Sequence, residues 1–195
     1  SNPDLDQQWD ILHGPGATEY LVLHPTLDGG SGTFSWTSNR DDAKDNASLY
    51  YRNSEGIDIY ENQLFFVCKH FQMLFMLNLD DGTYTRSSTE FGLFDGGPDQ
   101  LKRIMEDDDA LLYFTEEGGV DAGIHARDNH GRFYTVLESP NLPGETTGLA
   151  FSPDAKYMYM AYQDVGMLYA IWRRDGLPFD EMHLDLTYHQ ATEGF

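Results

Sequence analysis

The chain has 195 residues, 40% of them hydrophobic and 14% aromatic, which suits one folded domain with a real core and excludes a disordered polymer. Twelve Lys and Arg stand against thirty-three Asp and Glu, a formal charge of −21 that repels phosphate backbones and attracts cations, so nucleic acid is not expected as a partner. No run approaches the roughly 18 apolar residues that span a bilayer, and with no charged-then-apolar leader before Ser1 the chain is expected to be soluble, any signal peptide having gone.

In chain order, the first strand signals are Tyr20-Leu21-Val22-Leu23 and Thr33-Phe34-Ser35-Trp36-Thr37. Within residues 1–45 they read as two outer strands of a preceding blade. A sequon, Asn46-Ala47-Ser48, follows in a polar stretch and would accept a glycan on a secretory route. Sliding the sequence against itself at a lag of about 45 residues then exposes a repeat. The first unit, 55–90, holds Glu55-Gly56-Ile57, apolar runs at 64–68 and 74–77, the turn Asp80-Asp81-Gly82, and Thr83-Tyr84-Thr85. The second, 98–140, holds Asp99-Gln100-Leu101 and runs at 112–116, 123–127 and 133–137. The third, 145–190, holds Thr147-Gly148-Leu149 and runs at 158–162, 167–171 and 183–186.

Four short alternating runs per unit, separated by Gly, Asp, Asn and Pro, read as four strands joined by hairpins. Units of that size are the signature of an all-β propeller with four-stranded antiparallel blades. A β-sandwich has no reason to repeat every four strands. The chain then carries about three and a half blades, and an open run of blades exposes two apolar faces. Its expected partners are therefore the remaining blades, from a longer precursor, or another copy of itself.

In a propeller the first strand of each blade lines the central channel. Aligning Ile57, Leu101 and Leu149 makes Glu55, Asp99 and Thr147 equivalent, with Glu145 two residues earlier and on the same side by strand parity. Carboxylates gathered without basic partners repel one another, and a hard divalent cation such as Ca²⁺ relieves that by taking several oxygens. Glu116 and Glu117 end the second strand of the middle unit, beside the flexible Gly118-Gly119. Glu106-Asp107-Asp108-Asp109 reads instead as a solvent-facing turn. Cations are scarce, so Arg127 and Lys69 are the candidates for holding an anion near the carboxylates.

The histidines (His13, His24, His70, His125, His130, His183 and His189) show no HxxEH or HExxH spacing, and neither a GxSxG elbow nor a GxxxxGK[ST] loop is present. His125 reads as a packed strand residue. Cys68, the single cysteine, allows no internal disulfide and reads as a buried strand thiol.

Several stretches together resemble the PhoX-like family of calcium-dependent alkaline phosphatases: Glu55-Gly56-Ile57, Gly92-Leu93-Phe94-Asp95-Gly96-Gly97-Pro98-Asp99-Gln100, Tyr113-Phe114-Thr115-Glu116-Glu117-Gly118-Gly119, Ala122-Gly123-Ile124-His125-Ala126-Arg127-Asp128, Glu145-Thr146-Thr147-Gly148-Leu149-Ala150-Phe151-Ser152-Pro153-Asp154 and Asp175-Gly176-Leu177-Pro178-Phe179. The resemblance runs from about Gly32 onward. It implies a six-bladed propeller with central calcium ions and, in catalytic members, an iron pair that hydrolyses phosphate monoesters outside the cytoplasm. The metal-site positions it carries over are Glu55, Glu116 and Glu145, with Asp99 added by the repeat. In the phosphatases an Asn-Cys-Ala-Gly-Gly motif supplies a cysteine to iron; this chain has none, so Fe³⁺ is expected only with a missing N-terminal half. Two functions follow as expectations. One is a secreted, calcium-binding propeller from a phosphomonoesterase acting on a small phosphoester, in the extracellular space, the periplasm or an organelle lumen. The other is a non-catalytic binding, structural or assembly subunit.

Overall fold

A computed structural model describes residues 16–104, 111–118, 121–139, 141–142, 144–179 and 188–189. The acidic turn at 106–109 and the strand expected at 183–186 lie outside these residues. The described residues form fourteen strands and one helix. The strands are β1 (Tyr20–Pro25), β2 (Ser31–Thr37), β3 (Ser54–Tyr60), β4 (Gln63–Cys68), β5 (Met73–Asn78), β6 (Thr83–Ser88) and β7 (Gly97–Arg103), followed by β8 (Leu111–Glu117), β9 (Gly123–Asp128), β10 (Phe133–Glu138), β11 (Thr146–Phe151), β12 (Tyr157–Tyr162), β13 (Met167–Trp172) and β14 (Tyr188–His189). The helix, α1, spans Arg40–Tyr50.

Three antiparallel sheets result, in the orders β1-β2-β6-β5-β4-β3, β14-β10-β9-β8-β7 and β11-β12-β13. The first two contain a four-stranded meander each, β3 to β6 and β7 to β10, because successive strands are joined by tight turns. The β5–β6 turn shows the local chemistry. Gly82 takes φ +68°, and the Asp81 carboxylate accepts from the Thr83 N–H at 3.0 Å and from its hydroxyl at 2.6 Å. The hairpin β1–β2, expected as the outer pair of a preceding blade, is instead hydrogen-bonded through Ser31–Thr33 of β2 to β6, at the outer edge of the first meander. Burial explains the attachment: Leu23 of β1 is 1% exposed in one cluster with Phe66, Phe75, Leu77 and Tyr84.

The helix was not foreseen. Its sequence, RDDAKDNASLY, buries only Ala43, so it carries no apolar stripe of helical period. What starts it is local chemistry: Asn39 caps the N-terminus by accepting from the Asp41 N–H, and Asp41 and Asp42 in the first turn complement the helix dipole. Asn46, on this helix, is not free to carry a glycan. Its side-chain amide accepts from the Leu23 N–H and donates to the Leu23 carbonyl, both at 2.9 Å, and so pairs β1 as a neighbouring strand would.

Strand alternation builds two packed interfaces. On β8, Leu112 and Phe114 face Phe65, Val67 and Leu74 of the first sheet, while Leu111 and Tyr113 face Met158, Met160 and Tyr162 of the third. Six consecutive β8 residues are therefore buried. At roughly 1.5–3 kcal/mol for each large apolar side chain removed from water, these two interfaces hold the sheets together. Asn46→Ala removes both bonds to Leu23 and leaves a part-buried N–H and carbonyl unpaired, so it should cost about 1–3 kcal/mol of stability in urea unfolding. A loss within error would show that solvent replaces Asn46.

Candidate functional site

The sheets meet through their first strands. β3 packs along β7, and β11 lies against β7 and β8. The approach of β3 to β7 is backbone on backbone: a Cβ at Gly56 would stand 2.5 Å from the Leu101 nitrogen and 2.6 Å from the Gln100 Cα. Only glycine fits there.

Each first strand also carries a bulge near its start, with two residues facing one on the second strand. In β3 these are Glu55 and Gly56, in β7 Asp99 and Gln100, and in β11, one position further along, Gly148 and Leu149. A bulge re-aims the side chains beside it. In β7 it is stabilised by the Thr115 hydroxyl, which accepts from the Gln100 N–H at 2.7 Å.

At this end Glu55, Asp99 and Glu117 surround one ammonium group, that of Lys69. The Lys69 Nζ lies 3.3 Å from Glu55 Oε1 and 4.0 Å from Asp99 Oδ1, and it pairs with Glu117 Oε2. Lys69 and Glu117 occupy matching places where β4 and β8 end, and Gln163 matches them after β12. Asp99 is 4% exposed, and its second oxygen accepts from the Thr147 hydroxyl at 2.8 Å. Glu145 receives a bond from Gln163 Nε2 at 2.9 Å. Its carboxyl is raised above the ordinary range, first by burial and then by the charge of Asp99, with which it also shares a hydrogen bond; Lys69 offsets part of this. Glu55 and Asp99 thus share the Lys69 ammonium, and Glu145 lies beside Asp99.

Glu116 does not join this group. It lies on the Leu112/Phe114 face of β8, 2% exposed, where its carboxylate accepts from the N–H groups of Asp95 (3.1 Å), Gly96 (2.7 Å) and Gly123 (2.9 Å) and pairs with His125 Nε2 at 3.0 Å. Burial pushes its pKa up, but the His125 bond and charge together with the Gly96 and Gly123 N–H groups outweigh that and hold it below 4.5. The His125 ring in turn stacks on Phe94 at 4.4 Å. Glu116 thus pins the loop before β7, and Gly97, the first residue of β7, passes so close to the Lys69 stem that a Cβ would meet its Cγ at 2.8 Å. Strand parity in β8 separates Glu116 from Glu117 and would have chosen Glu117 for the open end.

Arg127 is remote from the group. It lies toward the far end of β9 from Gly123, its guanidinium 5.9 Å from the Phe133 ring centre, and burial lowers its pKa. Cys68 is fully buried and its thiol donates to the Arg52 carbonyl at 2.8 Å; burial raises its pKa, so the thiolate that iron requires is disfavoured.

By donor chemistry the open end offers only oxygen: the carboxylates of Glu55, Asp99 and Glu117 face one ammonium, with Glu145 and the Thr147 hydroxyl beside Asp99. Among the described residues, no group of three or more His, Cys, Asp or Glu is arranged to hold a metal ion, and the cation between these carboxylates is Lys69.

No protein-family model matches the sequence, and no curated protein matches it. Among solved structures, the chain is similar to regucalcin, a calcium-binding protein from Agrobacterium tumefaciens, at 16% identity and a TM-score of 0.35. The match covers 67% of this chain and 58% of that one, so it spans less than two thirds of the regucalcin chain. No site residue is transferred from it.

Because Glu116 has a folded pKa below its ordinary value, it contributes stability that is complete above about pH 4.5 and is lost as pH falls through the lower folded value. Glu116→Gln should cost about 3 kcal/mol at pH 7, since it leaves His125 and the loop N–H groups without a carboxylate. The gap to wild type should narrow as pH falls below 4.5. Urea unfolding at pH 7 and pH 3 measures both; a gap that widens in acid would refute the assignment.

Proposed function

We propose that the chain is a run of consecutive blades from a secreted, PhoX-like β-propeller, and that the end where β3, β7 and β11 converge is an axial mouth taking a hard divalent cation, calcium. The observation that carries this reading is the side-by-side packing of the three first strands, which gathers Glu55, Asp99 and Glu145 with Glu117 at one end. Asp99 is the anchor, held in orientation by Thr147. Glu55, Glu117 and Glu145 supply the remaining carboxylates. Bound calcium would neutralise the surplus charge and offer open positions to the oxygens of a ligand such as a small phosphoester. A chain of charge −21 suits an extracellular or periplasmic medium, where modules bind calcium at high ambient concentration. Cys68 is buried and hydrogen-bonded and does not supply the cysteine that the resemblance brings to iron, so no phosphatase step is assigned to this chain.

A second reading, that of a binding or assembly module, is favoured by the third sheet. Its face turned away from the second sheet exposes Tyr157 and Tyr159 beside Leu168 (75%) and Trp172 (64%). The same face of the second sheet, at Leu111 and Tyr113, is covered by the third. A further blade, from the remainder of the protein or from a second copy, is the proposed cover.

Two measurements test these readings. Thermal melts of the full-length protein should rise with calcium, by about 2.7 kcal/mol when free calcium is a hundredfold above Kd. Glu55→Gln or Glu145→Gln should shrink the rise, Asp45→Asn on the exposed side of α1 should leave it intact, and magnesium should substitute poorly. Identical midpoints with calcium and with chelator would sink the cation reading. For the assembly reading, sedimentation velocity should show that Leu168→Asp with Trp172→Glu abolishes association of the 195-residue chain; a compact wild-type monomer at micromolar concentration would count against it.

A further inference from the structure

Each sheet turns one face toward the sheet that follows it in the chain. Phe65 and Val67 of β4 meet β8, and Leu111 and Tyr113 of β8 meet β12. On the third sheet the corresponding face is bare. Three cross-strand rows make it up: Tyr157 beside Trp172, Tyr159 between Ala150 and Ala170, and Ala161 beside Leu168. None of these residues is charged, in a chain of charge −21, so a second copy can lie against this face without setting carboxylate against carboxylate. The rows also differ in bulk. One end carries the Tyr157 and Trp172 rings, 6.3 Å apart, and the other carries Ala161 and Leu168. The opposite end of the stack offers no such face. There Leu23, with the part-buried Tyr50 and Tyr51, packs on Phe66, Phe75, Leu77 and Tyr84. The exposed apolar residues left are Ile57 and Ile59 on β3 and Trp36 on β2, which β4, β5 and β6 keep apart.

A head-to-tail pairing, third sheet on first sheet, would therefore lay the breadth of one face against a single inner strand and a separate Trp36. We infer that the occupant of the third-sheet face is the same face of a second copy, related by a two-fold axis that lies between the two sheets along the row of Ala150, Tyr159 and Ala170. This names the partner in the assembly reading and rests on that reading. Sheets packed face to face stand about 10 Å apart, which leaves no room for bulk opposite bulk. An axis along the middle row reverses the strand direction, so Tyr157 and Trp172 of each copy come over Ala161 and Leu168 of the other, and Ala170 comes over its own counterpart. An axis parallel to the strands would instead set the Tyr157 and Trp172 row against itself. The pairing uses the same patch on both copies and so closes at two.

The test is cross-linking and sedimentation equilibrium of the 195-residue chain. Ala170→Cys should be joined into a covalent dimer by a bis-maleimide with a reach of about 10 Å, the spacing of packed sheets. Wild type should not be joined, because its single thiol, Cys68, is fully buried. In sedimentation, wild type at micromolar concentration should form dimers and nothing larger. Ala170→Arg sets two guanidinium groups against each other across the axis and should raise the dissociation constant about a hundredfold. Ile59→Arg, on β3, should leave it unchanged. Species larger than the dimer, loss of association in Ile59→Arg, or an associated Ala170→Cys chain that does not cross-link would overturn the two-fold pairing and leave the assembly reading standing. A wild-type chain that stays monomeric would overturn both.

Discussion

The contact on which the rest depends is the backbone approach of β3 to β7 at Gly56. With no side chain there, the Cα of Gln100 and the nitrogen of Leu101 come within 2.5–2.6 Å of where a Cβ would stand. A methyl group would lever β3 outward along its whole length. The first sheet would then lose its seat against Leu101, Leu112 and Phe114, and Glu55 would move away from the ammonium it shares with Asp99. The same contact is reinforced further along, where the Asp58 carboxylate takes the Lys102 ammonium and the Arg103 N–H, both at 2.9 Å. Packing and electrostatics are therefore coupled: the close strands that exclude water from the core also press the carboxylates together.

Gathering acids this way is costly, and the structure relieves the cost by three different means. Lys69 neutralises part of the charge directly. Glu145 and Asp99 share a hydrogen bond, with Glu145 holding its proton to higher pH than usual. Glu116, adjacent in sequence to Glu117, is turned away from the mouth and given backbone N–H donors and a histidine. Few cations are left for other work. Lys102 serves Asp58, Arg103 lies 4.0 Å from the centre of the Tyr60 ring, Arg132 pairs with Asp128, and Arg173 pairs with Asp175.

The strands were legible in the sequence as short apolar runs between turn residues: β8, buried on both faces, reads as a continuous apolar run, and β12, buried on one face, alternates. The equivalence of Glu55, Asp99 and Thr147 was legible for the same reason, since the bulges fall at nearly matching places. Three features were not. Helix α1 is polar and buries Ala43 alone, so hydrophobic periodicity is silent and only its Asn39 cap marks it. The seat of the β1–β2 hairpin depends on Leu23 and on the Asn46 amide, a contact across 23 residues that no local pattern encodes. The role of Lys69 depends on three carboxylates from distant strands, and a lone lysine at a strand end carries no signal until those strands are placed.

The two ends of this stack of sheets are not alike. On the first sheet, Leu23 and the part-buried Tyr50 and Tyr51 from β1 and the α1 end already pack with Phe66, Phe75 and Tyr84, the Tyr51 ring meeting Phe66 edge-on at 5.8 Å. Among the described residues the inner strand remains open there, with Ile57 at 64% and Ile59 at 58% exposure, and Trp36 of β2 is 46% exposed. On the third sheet both the second and third strands are open, through Tyr157, Tyr159, Leu168 and Trp172. A neighbour at β3 can therefore gain apolar burial only through an inner strand laid along Ile57 and Ile59, whereas a neighbour at the third sheet gains it across the breadth of a whole sheet. By area alone the second contact is the stronger, because hydrophobic stabilisation scales with the apolar surface removed from water. The first contact lies beside Glu55, so a strand arriving there would also meet the carboxylate group around Lys69.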